Sequence, residues 1–139
     1  MVISLRAKDV MDTRVIVVDA SEPVGKALRE MLGAGVWSVV VSDKGSPVGV
    51  LTERDFVRMC LARGCEGALS VPAGEVATSP LVTCGPEDPV GHVWRLMVEH
   101  SVRRVYVVDE GRIVGRITQT GLFQKLLEAF ITLSQLMAP

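Results

Sequence analysis

Two short stretches, GVLTERD at residues 49–55 and GRITQTG at residues 115–121, hold the side chains best suited to binding chemistry. In the first, an apolar β-branched run gives way at Thr52 to a helical pattern, which makes a strand-to-helix junction. The amides that open such a helix lack intrahelical partners and the macrodipole there favours negative charge, so the junction is a ready anion site. The Thr52 hydroxyl can donate to a phosphate oxygen, and the Asp55 carboxylate, one turn further on, can accept the two hydroxyls of a ribose. The same pair also has a purely local reading, in which Thr52 caps the helix and Asp55 complements its dipole. On these residues alone both readings stand. The second stretch keeps its threonine, Thr118, but has Gly121 where the first has the carboxylate. Upstream the difference runs the other way: Trp37-Ser38 in the first half corresponds to Arg103-Arg104 in the second. An arginine hydrogen bond to phosphate is worth on the order of 1.5–3 kcal/mol, against about 0.3–1 for a helix dipole, so these arginines would dominate phosphate affinity. Neighbouring strand residues face opposite ways, so one of the two can enter a pocket while the other is solvated or pairs with Glu99 or Glu110. Arg54 is a third candidate cation, its alternative being a solvated helix side chain.

Catalysis and metal binding find no comparable footing. Cys60, Cys65, Cys84 and His100 lack the paired spacing of a zinc site, and no metal site is expected. His92 and His100 have no nucleophile or acid at a working spacing, so no catalytic residue is expected and the chain reads as a non-enzyme. Fifteen basic against sixteen acidic side chains give a formal charge of -1, which supplies no global field for nucleic acid or an acidic membrane. No window approaches eighteen apolar residues, so neither a signal peptide nor a membrane span is expected. Three cysteines in no framework spacing argue for a reducing compartment, read as the cytoplasm.

The elements that must position these residues come in two copies. An offset of 66 residues lays Val10–Val57 over Val76–Phe123 without a gap, and 14 of the 48 pairs are identical, among them Pro23/Pro89, Asp43/Asp109, Gly45/Gly111, Gly49/Gly115 and Thr52/Thr118. In the first copy Ser21-Glu22-Pro23 reads as a helix start, Val24, Ala27, Leu28 and Met31 as its apolar stripe, and Gly33 and Gly35 as its stop. Residues 37–41 read as a strand, Asp43-Lys44-Gly45 as a hairpin turn, and 47–51 as the returning strand, with Thr52 opening a helix striped by Phe56, Val57, Cys60 and Leu61. The second copy repeats this with Val90, Val93, Trp94 and Met97, then Arg103–Val108, a turn at Asp109-Glu110-Gly111, and Arg112–Ile117. A longer helix closes the chain, striped by Leu122, Leu126, Phe130, Leu133 and Met137. Trp94 is expected in the core, and Trp37 as a plug in the second half-site. A unit of about 55 residues is marginal alone, whereas two packed sheet to sheet would share a core.

The order of elements, the duplication and the pattern Gly49-x-x-Thr52-x-x-Asp55 resemble the paired cystathionine β-synthase (CBS) domains known as a Bateman module. The resemblance implies an α/β (α+β) fold of two pseudo-symmetric β-α-β-β-α units packed through their small sheets. The first unit would span 7–64, a linker 65–75, the second unit 76–130 and a helical extension 131–139. It also implies regulation by an adenosine ligand, AMP, ADP, ATP or S-adenosylmethionine, in the cleft between the units. Transferred position by position, the nucleotide contacts are Val50, Thr52, Arg54 and Asp55 from the first junction, completed by Ser79, Pro80 and Leu81 and by Val102, Arg103 and Arg104. The twin site of Thr118 and Gly121 with Trp37 and Ser38 has neither carboxylate nor cationic pair, so one nucleotide per chain is expected. The family further implies a homodimer through the amphipathic helices and a signal passed in trans to a protein target. The competing reading is a ligand-free scaffold for dimerisation or docking.

Overall fold

The computed structural model describes residues 5–77 and 80–137. In chain order its elements are α1 (Ala7–Val10), β1 (Val17–Asp19), α2 (Val24–Ala34), β2 (Ser38–Asp43), β3 (Ser46–Thr52), α3 (Glu53–Arg63), α4 (Cys65–Leu69), α5 (Ala73–Val76), β4 (Thr83–Cys84), α6 (Val90–His100), β5 (Arg104–Asp109), β6 (Arg112–Thr118) and α7 (Gln119–Leu136). The strands form two three-stranded sheets, β1-β2-β3 and β4-β5-β6, each with its first strand parallel and its last antiparallel to the middle one.

Both hairpins fold the way their sequences ask. Lys44 and Gly45 have φ of 51° and 82°, and Glu110 and Gly111 have 50° and 76°, the two successive positive angles of the tight turn whose twist matches flanking strands. The register slips at the same place in each copy, between Val41 and Ser42 and between Val107 and Val108. The start of α2 departs from expectation. Ser21 does not cap the helix; its amide and hydroxyl both turn back to the Asp19 carboxylate, at 2.9 and 2.6 Å, and Pro23 stands at the cap position without a side-chain bond. First-turn amides find carbonyl partners instead, Val24 bonding to the Val71 carbonyl at 2.9 Å and Lys26 to the Pro23 carbonyl at 3.0 Å.

Each sheet buries one face against helices of its own compact unit. In the unit Arg14–Leu81, Val39, Val41 and Leu51 meet Val24, Ala27 and Met31 of α2. In the other, Val105, Val107 and Ile117 meet Val90, Val93 and Met97 of α6, with Leu122 of α7. Full burial of such side chains stabilises by about 1.5–3 kcal/mol each. The short helices do not follow chain order. The segment up to Thr13 belongs to the unit formed by Val82 onward, where Ala7 and Val10 enter the core and the Ala7 amide donates to the Asp88 carbonyl at 2.8 Å. The equivalent helix α5, 66 residues later, enters the Arg14–Leu81 core through Ala73 and Val76, its first amide bonded to the Glu22 carbonyl at 2.7 Å. Two glycines permit this. A Cβ on Gly74 would lie 2.8 Å from that of Ala20, and one on Gly115 would overlap the Met11 side chain.

Trp94 is not in the core: it is 48% exposed, because Val93 and Met97 already fill the buried face of α6.

Candidate functional site

The Thr52 junction is built by two neighbouring elements. Thr52 ends β3, opposite Ser38 of β2, and is the cap of α3. A reciprocal pair of bonds holds it: the Thr52 amide donates to Asp55 Oδ2 at 2.9 Å, and the Asp55 amide donates to Thr52 Oγ1 at 3.4 Å. The Thr52 hydroxyl lies 3.2 Å from the same carboxylate oxygen, to which it donates. Both residues are buried, Asp55 at 3% and Thr52 at 6% exposure, as are Ser38 and Val50. The local and ligand readings of the pair therefore compete for the same atoms. Oδ2 serves the cap, and Thr52 must rotate its hydroxyl before it can donate to a phosphate. Arg54 and Glu53 of the first turn are exposed. Pro80 is exposed and Leu81 half-buried in the same unit, and Ser79 lies outside the described residues.

The other three candidates belong to the second unit. Val102 and Arg104 are half-buried, and Arg103 is exposed. The Arg103 carbonyl accepts the first amide of α7, from Gln119, at 2.9 Å, and Thr118 Oγ1 accepts that of Gly121 at 3.0 Å. Gly121 thus keeps the hydroxyl half of the cap and loses the carboxylate half. A surface cavity of about 290 Å³ opens beside this junction, with Trp94, Val98, Arg103 and Gln119 among its walls. An exposed indole and a guanidinium in one hollow suit a planar anionic group.

Two features escaped the sequence reading. Arg116, which stands at the offset position of Val50, is 8% exposed; its guanidinium meets Asp12 at 3.2 Å and its Nε has no hydrogen-bond partner. Two backbone bonds of 2.8 Å between the same residues fix the pair. The mismatch of valine with arginine in the offset alignment is the signal that marked it. The second is the Cys60 thiol near the end of α3, which burial first and the neighbouring Cys65 second push up to about 11. Trp37, expected as a plug in the second half-site, is 56% exposed. Among the described residues no group of three or more His, Cys, Asp or Glu is placed to hold a metal ion, and no helix is long and apolar enough to cross a membrane.

Both junctions fall within stretches that match a known family. The CBS domain pattern matches residues 7–62 and again 73–128. The CBS domain-containing protein YhcV of Bacillus subtilis is 32% identical over 108 residues, 78% of this chain and 76% of that protein. An uncharacterized protein of Methanopyrus kandleri, MK0525, is 29% identical over 87% of this chain, which spans only 62% of that relative's length. A crystal structure of hypoxic response protein I (Mycobacterium tuberculosis), with two coordinated zinc ions, superposes with a TM-score of 0.72 at 28% identity, covering 86% of this chain and 98% of that one.

Proposed function

The chain belongs to the CBS-domain family, and from that premise we propose that it is an adenine-nucleotide sensor that holds one AMP, ADP or ATP, or S-adenosylmethionine, at the Thr52 and Asp55 junction. CBS domain pairs are in general regulatory and ligand-binding. In this reading the Asp55 carboxylate accepts the ribose hydroxyls, and Arg104 of the second copy takes the phosphate. Val50, Pro80, Leu81 and Val102 flank the base, Ser79 belongs with them, and Arg54 and Arg103 are peripheral cations. The observation that carries the reading is the divergence of two junctions built on one plan: Asp55 is kept, buried, beside Thr52, whereas Gly121 stands beside Thr118. A capping role alone gives no reason for the difference, since α7 starts without a carboxylate. No step of the proposal is catalytic, and the signal passes to a protein target in trans.

The module acts as a homodimer. Leu61 of α3 is 84% exposed, and Phe123 and Phe130 of α7 are 65% and 67% exposed, an apolar surface of the kind that a second copy covers. That same surface favours the scaffold as the second reading. Thermal denaturation with AMP, ADP, ATP, NADH and S-adenosylmethionine separates the two. A ligand at about 100 times its dissociation constant adds about 2.7 kcal/mol, a rise of several degrees. A panel in which no compound moves the transition leaves the scaffold.

A further inference from the structure

The helices α3 and α7 hold equivalent places in the two copies, and they end differently. α3 stops at Arg63, where Gly64 turns the chain. At the offset position α7 has Phe130 and runs on to Leu136, past the end of the family pattern at residue 128. The added stretch, AFITLSQLM at residues 129–137, contains no charged residue. Leu122 of α7 is buried in the core of its own unit, and Ala129 and Leu133 are half-buried. At about 100° per residue these three fall within a strip about 40° wide, which is the side the helix turns to that unit. A second apolar face starts where the strip ends. Leu126, Met137, Phe130, Phe123, Leu127 and Ile131 follow one another around the axis from about 40° to about 180° from Leu122, with Ser134 among them, and the six are between 41% and 75% exposed. A helix packed on one side needs an apolar stripe about 100° wide, and this one has about twice that. At about 200 Å² for a fully exposed side chain of this size, the six expose on the order of 700 Å² per chain, so two copies can bury on the order of 1,300 Å², within the range of stable interfaces.

We propose, building on the homodimer reading, that this second face is a docking surface for the α7 of a second copy. The two helices cross antiparallel, with Phe130 near the two-fold axis and Phe123 opposite the partner's Met137. A two-fold pairing sets each side chain against its own counterpart or a near neighbour, and this face carries no charge that would repel itself. Phe123, Leu126, Phe130, Leu133 and Met137 recur at spacings of three and four, the repeat by which paired helices interlock. The antiparallel order follows from the attachment of the helix: Thr118 caps its N-terminal end and Leu122 fixes that end to the core, so a parallel pair would crowd two cores together. A membrane surface is a poorer occupant, since Lys125 is the one cation of α7.

Sedimentation equilibrium on the full chain tests this, with far-UV circular dichroism as the check on folding. The parent should be a dimer at micromolar concentration. Phe130→Glu with Met137→Glu should weaken association at least about a hundredfold at an unchanged spectrum, because pairing would bury unpaired carboxylates. Gln124→Glu with Gln135→Glu, on the polar side of the helix, should leave the dimer intact. In a Cys65→Ser background, Phe130→Cys should form a disulfide between two chains under mild oxidation, located by peptide mapping, whereas Phe123→Cys should do so only when mixed with Met137→Cys. A monomeric parent overturns the homodimer reading together with this one. A dimer that survives Phe130→Glu with Met137→Glu, or a Phe123→Cys protein that crosslinks to itself, overturns the α7 pairing alone.

Discussion

Replacing Asp55 removes two interactions at once, and two substitutions separate them. In Asp55→Ala the buried Thr52 amide loses the acceptor it holds at 2.9 Å, and the hydroxyl loses its partner at 3.2 Å. A buried donor left without an acceptor costs about 1–3 kcal/mol and a lost cap about 0.5–2; these describe the same bonds, so they overlap rather than add. The other copy argues for the lower half of that range, since α7 begins on Thr118 and the Gly121 amide alone, at 3.0 Å. The midpoint of thermal unfolding should fall by roughly 3–10 °C. Nucleotide affinity should fall as well, because a ribose hydroxyl without its acceptor loses about 1–3 kcal/mol, roughly 5- to 150-fold in dissociation constant. Asp55→Asn keeps one carbonyl oxygen for the Thr52 amide but presents an NH2 where the second carboxylate oxygen stood. It should therefore retain most of the stability and still lose at least about fivefold in AMP affinity. Calorimetric titration beside thermal unfolding on all three proteins decides the matter. An Asp55→Asn protein that binds AMP as tightly as the parent refutes the ribose role and leaves Asp55 as a cap.

Three further outcomes are expected. Burial, and in second place Asp88, push the Cys84 thiol from 9.0 up to about 11, so the folded state favours the neutral form; that stability is full below pH 9 and disappears as pH rises through 11, and Cys84→Ala should flatten this alkaline limb in urea unfolding. Ser101 ends α6 at φ 53°, where the first copy has Gly35 at 67°; Ser101→Gly should raise stability by up to about 1 kcal/mol in the same assay, and an unchanged midpoint would mean that the left-handed serine carries no strain. Light scattering at micromolar concentration should report twice the chain mass for the parent and a single chain for a Leu61→Glu, Phe130→Glu double variant; a monomeric parent contradicts the apolar interface.

The parts of the molecule that were legible in the sequence are those set by local chemistry. Asp-Lys-Gly and Asp-Glu-Gly announce the two hairpins because only a few residue types accept the turn's positive angles, and the 66-residue offset carries even the register slip from one copy to the other. Thr52 and Asp55 were recognisable as a cap for the same reason. What stayed hidden depends on packing between distant segments. The placement of α1 with the later strands follows from the space at Gly115 and the Asp12–Arg116 pair, which no window of sequence contains. Trp94 sits at a stripe position, but a stripe wider than the buried face leaves its margin in solvent. The turn between α3 and α4 is likewise set by one backbone conformation, that of Gly64 at φ 81°, which no side-chain periodicity announces.

The asymmetry of the two related junctions assigns one nucleotide to each chain. Isothermal titration of the unmodified protein with AMP, and with ATP in parallel, measures the number of sites directly. One site per chain is expected, weakened at least about tenfold by Arg104→Ala and essentially unchanged by Thr118→Ala. Two equal sites per chain, or a single site that Thr118→Ala abolishes and Arg104→Ala spares, would contradict it.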